Sequence, residues 1–124
     1  DAAPAIEWLD PLDHPSMIAE MRRADVLLSD SGGVQEEAPA LGLPLLVLRD
    51  KTERPEGIAS GNLMLAGTNR DRIVALVMRM TDPAVREGMS RPSFPYGDGK
   101  AGPRIATAIG DWLDRRSGLL RKAG

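Results

Sequence analysis

The chain has 124 residues, a net charge of −2, no cysteine and an aromatic content of 3%. One domain is expected at this length, disulfides and thiolate metal sites are excluded, and a nucleic-acid face is not expected without basic–aromatic alternation. No apolar run is long enough to span a bilayer and no signal-peptide pattern opens the chain, so a soluble cytoplasmic protein is expected.

In chain order, Ile6-Glu7-Trp8-Leu9 reads as a short strand. Asp13 to Arg23 reads as a helix with Met17, Ile18 and Met21 on one face. Val26 to Ser29 is short and mostly apolar, as a strand covered on both sides is. The spacing predicts a helix from Val34 to Leu41, stopped by Gly42 as a C′ glycine, with Pro39 disturbing its last turn. Leu45 to Leu48 is the next buried strand, and residues 49–56 form a charged loop at its end. One helical turn is expected over Gly57 to Ser60, then a last strand over Asn62 to Leu65.

Asp71 to Met80 is a helix with Ile73, Leu76, Val77 and Met80 at helical spacing. Asp82-Pro83 starts another, Asp as N-cap and Pro at the first position. A Pro/Gly loop at 91–99 precedes a final helix from Pro103 to about Arg116. Its apolar face, Ile105, Ala108, Ile109, Trp112 and Leu113, is expected to pack on the sheet. Strands alternating with helices imply an α/β fold on a parallel sheet. Charge is uneven: residues 1–57 carry −7 and residues 58–124 carry +5. Part of the excess, Arg115, Arg116, Arg121 and Lys122, falls at the end of the last helix, where cations complement the dipole.

The run Asp30-Ser31-Gly32-Gly33-Val34-Gln35-Glu36-Glu37-Ala38 carries the most chemistry. A strand that turns into a helix through Ser-Gly-Gly aims free N–H groups, and the positive end of the dipole, at one point suited to phosphate. Glycine lets backbone approach an anion with no Cβ in the way. The same turn also reads as an ordinary connection with Ser31 as a cap. Glu36 and Glu37 offer carboxylates able to accept from both hydroxyls of a vicinal diol, and the residues alone leave their roles interchangeable. Arg49-Asp50-Lys51-Thr52-Glu53-Arg54-Pro55-Glu56 reads either as surface ion pairs among Arg49, Asp50, Glu53 and Arg54 or as a cationic wall for an anion. His14, the single histidine, reads as a surface residue, and no metal-ligand cluster can be assembled.

Four stretches taken together, DSGGVQEEAPA (30–40), GLPLLVLRDKTERPE (42–56), Gly67-Thr68 and PYGDGKA (95–101), resemble the non-hydrolysing UDP-N-acetylglucosamine 2-epimerases in order and spacing. The resemblance runs from about Trp8 to Leu113. It implies two Rossmann-like domains of GT-B-like arrangement with the active site between them. This chain, 1–124, corresponds to the later part of the second, UDP-binding domain, with no counterpart to the first. The implied reaction interconverts UDP-N-acetylglucosamine and UDP-N-acetylmannosamine, by elimination of UDP and re-addition, in polysaccharide biosynthesis.

On the same resemblance, Ser31, Gly32 and Gly33 hold the diphosphate of the UDP-sugar, Glu37 takes the ribose, and Met17 stands where the family often has an aromatic beside the uracil. Arg54 lies close to the substrate and stabilises departing UDP, the one catalytic role this chain offers. No nicotinamide cofactor and no metal are implied. The acid–base groups fall largely outside the matched part, so the chain alone is expected to be inactive. Pro95 to Lys100 is read as turns that seat the last helix, with Phe94 replacing the family's usual Asn. Alternatives are a stand-alone nucleotide-sugar-binding or assembly module and a fragment of a two-domain glycosyltransferase. A homodimer is expected, because uncovered edges at Val26 to Leu28 and Ile6 to Leu9 invite pairing.

Overall fold

A computed structural model describes residues 6–122. Three short parallel strands, β1 (Leu27–Ser29), β2 (Leu45–Val47) and β3 (Leu63–Leu65), form one sheet in the order β1-β2-β3. Their register pairs Leu27 with Leu45 and Leu45 with Leu63. Six helices complete the described chain: α1 (His14–Met21), α2 (Gly32–Leu41), α3 (Pro55–Ala59), α4 (Arg70–Arg79), α5 (Pro83–Met89) and α6 (Ala101–Lys122).

β2 is buried along its whole length, which is why it reads as an unbroken apolar run. Successive side chains leave a strand on opposite faces, so one strand feeds two cores. Leu45 and Val47 pack with Met21 of α1, Val34 and Ala38 of α2 and Leu63. Leu46 packs with Ala66, Met80 and Met89, against which Ile73, Leu76 and Val77 of α4 close. The faces expected for α1 and α4 are thus the ones turned to the core, partly buried against it, with Met17 left 38% exposed.

The caps are local and legible. Asp13 accepts from the Ser16 N–H, Asn69 from Arg72 and Asp82 from Ala84, each at the start of a helix. Gly42 ends α2 at φ 67°, in the left-handed region expected of a C′ glycine. α2 runs through the buried Pro39 to Leu41 rather than losing its last turn. The Pro39 carbonyl takes the N–H groups of Gly42 and Ser93, both at 2.9–3.0 Å. Asn62, 1% exposed, ties β3 to the segment after α5: its amide donates to the carbonyls of Met89 and Arg91, and its oxygen accepts from Ser60 and Ser93.

Three expectations fail. β1 is not covered on both sides as its apolar run suggests: it lies at the edge of the sheet, and Leu28 is 44% exposed. Ile6 to Leu9 is not a strand; Ile6 is 73% and Trp8 91% exposed. A short run rich in apolar residues does not by itself make a strand, which needs a neighbour to take its ladder bonds, and no described strand runs beside this segment. The apolar face of α6 does not pack on the sheet: Ile105, Ile109, Trp112 and Leu113 are each half exposed. A three-stranded sheet is narrow, and α1 with α2 and α4 with α5 already fill its two faces. Among the described residues no helix is long and apolar enough to cross a membrane.

Candidate functional site

The loops after β1 and β2 leave the same end of the parallel sheet, where open α/β sheets hold ligands. They are laced together at once, the Leu48 N–H donating to the Ser29 carbonyl at 3.0 Å. The first loop opens into α2 at Gly32. Ser31 stands at its N-cap position with extended backbone but makes no side-chain capping bond. None of the hydrogen bonds among the described residues uses the N–H of Gly32, Gly33 or Val34. A helix start with its donors unpaired and its capping side chain turned aside is open to an anion.

Arg54 completes this corner from the second loop. Its guanidinium lies over Gly32, so close that a Cβ there would stand 3.0 Å from Nη1 and 3.1 Å from Cζ. The absence of a Cβ at Gly32 thus lets the guanidinium approach this closely, and no positive φ demands the glycine. A cation over the positive end of a helix is unfavourable by itself, and carboxylates offset it here. Glu36 accepts from Arg54 Nε at 2.6 Å, and Glu53 pairs with Nη1. The bond to Glu36, outweighing desolvation, raises the Arg54 pKa further. Glu53 titrates lower than an ordinary carboxyl, first through its own backbone N–H and then through Arg49 and Arg54. The surface ion-pair reading of residues 49–54 is partly realised, since Arg49 and Glu53 pair at 3.0 Å. Arg54, however, reaches across to α2.

The neighbouring carboxylate, Glu37, faces α1. His14 Nε2 donates to its Oε1 at 2.8 Å. The histidine is 71% exposed, as a surface residue should be, yet it is tied to a predicted site residue. Met17 lies one helical turn beyond His14 on α1. The structure thus gathers Ser31, Gly32, Gly33, Glu37 and Arg54 around the start of α2, with Met17 on the adjoining helix.

Tyr96, Gln35 and Thr52 were not singled out from the sequence. Tyr96 donates to the Arg54 carbonyl at 3.3 Å and accepts from the Gly57 N–H at 3.0 Å. The PYGDG turns therefore brace the Arg54 loop as well as leading into α6, and burial raises the tyrosine pKa. At the other end of the motif Asp98 accepts from the Lys100 N–H and both Nη groups of Arg104, at the start of α6. Gln35 and Thr52 hydrogen-bond each other between the two loops at 2.5 Å. The residue types carried no signal for these contacts beyond the motifs that contain them. Among the described residues no group of three His, Asp or Glu side chains is placed to hold a metal.

Residues 1–110 match the family model described as UDP-N-acetylglucosamine 2-epimerase. The chain belongs to that family. It is 50% identical over 110 residues to the UDP-N-acetylglucosamine 2-epimerase of Bacillus subtilis, covering 88% of this chain and 28% of that protein. It is 47% identical over 105 residues to a probable UDP-N-acetylglucosamine 2-epimerase of Ralstonia solanacearum, covering 84% and 28%. Among solved epimerase structures, the S. aureus MnaA–UDP co-structure superposes with a TM-score of 0.82 at 40% identity, over 87% of this chain and 30% of that one. The Neisseria meningitidis UDP-GlcNAc 2-epimerase bound to UDP-GlcNAc gives 0.79 at 38% identity, over 83% and 28%. The chain thus spans just over a quarter of the length of the epimerases it matches, and all of its parallel sheet falls within the family match.

Proposed function

We propose that this chain is the UDP-binding part of a UDP-N-acetylglucosamine 2-epimerase, the C-terminal Rossmann-like domain over 1–124, and that it takes the UDP of UDP-N-acetylglucosamine at the start of α2. The observation that carries the reading is Arg54 lying over Gly32 at a helix N-terminus whose donors are unpaired. In this reading the diphosphate displaces Glu36 and Glu53 from the guanidinium. Its oxygens take the N–H groups of Gly32 and Gly33 and the Ser31 hydroxyl. Arg54 then stabilises the charge that grows on UDP as the bond to the sugar breaks. Glu37 accepts from the ribose diol, exchanging His14 for it, and Met17 packs on the uracil face. The residues here bind and orient UDP. The group that moves the C2 proton must stand within hydrogen-bond reach of it, and it belongs to the part of the relatives that this chain does not span.

The same reading includes a cytoplasmic role in polysaccharide biosynthesis and a homodimer. The dimer is supported by the β1 edge, where Leu28 is 44% exposed, and by the exposed apolar face of α6. Titration with UDP, followed by amide chemical shifts, tests the site. Shifts at Gly32, Gly33, Glu37 and Arg54 are expected; shifts confined to α6 overturn the placement. A coupled epimerisation assay on the chain alone is expected to show no turnover. Turnover abolished by Arg54→Ala refutes the division of labour.

A further inference from the structure

Gln35 and Thr52 sit between the two loops of the site with no role in the binding scheme. Gln35 is 0% exposed, and a buried amide is costly unless its donors and acceptor are paired. Its Nε2 donates to the Ser31 carbonyl at 3.3 Å, and its Oε1 accepts from the Thr52 hydroxyl at 2.5 Å. Its backbone N–H reaches the same Ser31 carbonyl at 3.3 Å. Thr52 Oγ1 accepts in turn from the Arg54 backbone N–H at 3.1 Å. One hydroxyl thus joins the glycine loop to the arginine loop, as donor to one and acceptor from the other.

Peptide geometry turns this relay into an effect on the ligand. The Ser31 carbonyl and the Gly32 N–H belong to one peptide unit, and in a trans peptide they point in opposite directions. Two donors from Gln35 hold the carbonyl toward the body of α2. The Gly32 N–H is thereby aimed out of the helix start, beside which the Arg54 guanidinium lies. Loss of the Gln35 side-chain bond leaves the carbonyl to the backbone N–H alone, and loss of the Thr52 hydroxyl releases the Arg54 N–H.

We propose that Gln35 and Thr52 are positioning residues for the anion-binding corner: together they aim the Gly32 N–H and set the Arg54 loop against it. The inference rests on the reading of that corner as a diphosphate cradle. A merely structural pair would lower stability and weaken all ligands alike. A positioning pair weighs on the phosphates and spares the nucleoside.

The experiment compares Thr52→Val, which keeps shape and deletes the hydroxyl, with Thr52→Ser, which keeps the hydroxyl. UDP and uridine are titrated into the whole chain while amide and Arg54 Nε–H resonances are followed. Thr52→Val is expected to weaken UDP binding about tenfold, leave uridine binding unchanged, and be rescued by Thr52→Ser. Equal losses for UDP and uridine, or no loss for UDP, overturn the proposal. If Thr52→Val loses the native circular dichroism spectrum, Gln35→Met is read by the same criteria. If the unsubstituted chain does not bind UDP, the nucleotide reading falls, and the relay is judged without ligand. Movement of the Gly32 amide and Arg54 Nε–H resonances in Thr52→Val then supports it, and their standing still overturns it.

Discussion

Gly32→Ala is expected to separate stability from binding. The new Cβ would stand 3.0 Å from Arg54 Nη1 and 3.1 Å from both Cζ and Nη2, a few tenths of an ångström inside ordinary contact. The atoms it meets are the tip of a flexible side chain, so the guanidinium moves away and the backbone does not. Its pairs with Glu36 and Glu53 are solvent-accessible and weigh little on stability. Gly32 has no positive φ, so alanine fits the backbone and restricts the unfolded chain, a gain of about 0.4–1 kcal/mol. The melting temperature should hold or rise by up to about 4 °C. UDP affinity should fall by about 10- to 100-fold, the loss of a charge-assisted contact to the diphosphate. Gly88→Ala in α5, where an added Cβ meets nothing within 4 Å, serves as the control with the stability gain alone. Calorimetric titration beside thermal melts is the assay. Gly32→Ala that binds UDP as well as the parent would refute the idea that Arg54 over Gly32 forms the anion site.

Asn62→Ala strands the carbonyls of Met89 and Arg91 in the core, and should cost about 2–4 kcal/mol in urea unfolding; a loss under about 0.5 kcal/mol would mean water replaces the amide. Asp98 titrates below its ordinary 3.8, chiefly through its bond to Arg104, so its contribution is present above that value and is lost as pH falls through the lower folded one. Asp98→Asn should therefore flatten the acid limb of a melting-temperature–pH profile and leave the neutral region less stable; an unchanged acid limb refutes it. Met17→Phe should tighten uridine and UDP equally, by about three- to tenfold, if α1 borders the base; tightening of neither moves the base elsewhere. Sedimentation at several concentrations should show a dimer that Trp112→Glu or a charged substitution on β1 disrupts, and a monomer throughout would refute the exposed-face argument.

Elements whose signal is local were legible along the chain. β2 is announced by Leu45-Leu46-Val47, α4 by the spacing of Ile73, Leu76 and Val77, and the helix starts by Asp13 and Asp82. Such features rest on a residue and its near neighbours, so they can be read without a fold. The Ser-Gly-Gly turn and RDKTERPE were legible as the motifs that carry the family resemblance, while the residues alone left an ordinary turn and surface ion pairs open.

What the tertiary structure decided involves partners far apart in sequence. Ile6 to Leu9 reads like a strand, but pairing requires a neighbour that the sequence cannot supply on its own. The stripe on α6 reads as core, yet whether a stripe is covered depends on how much sheet remains to cover it. Glu36 and Glu37 are adjacent and chemically alike. Only the fold sends one to Arg54, 18 residues on, and gives the other to His14, 23 residues back. Thr52 looks like any loop threonine until Gln35 is buried beside it. Composition and periodicity determine which residues seek burial or an anion. Which of two equivalent groups receives the partner is decided by the distances that only packing sets.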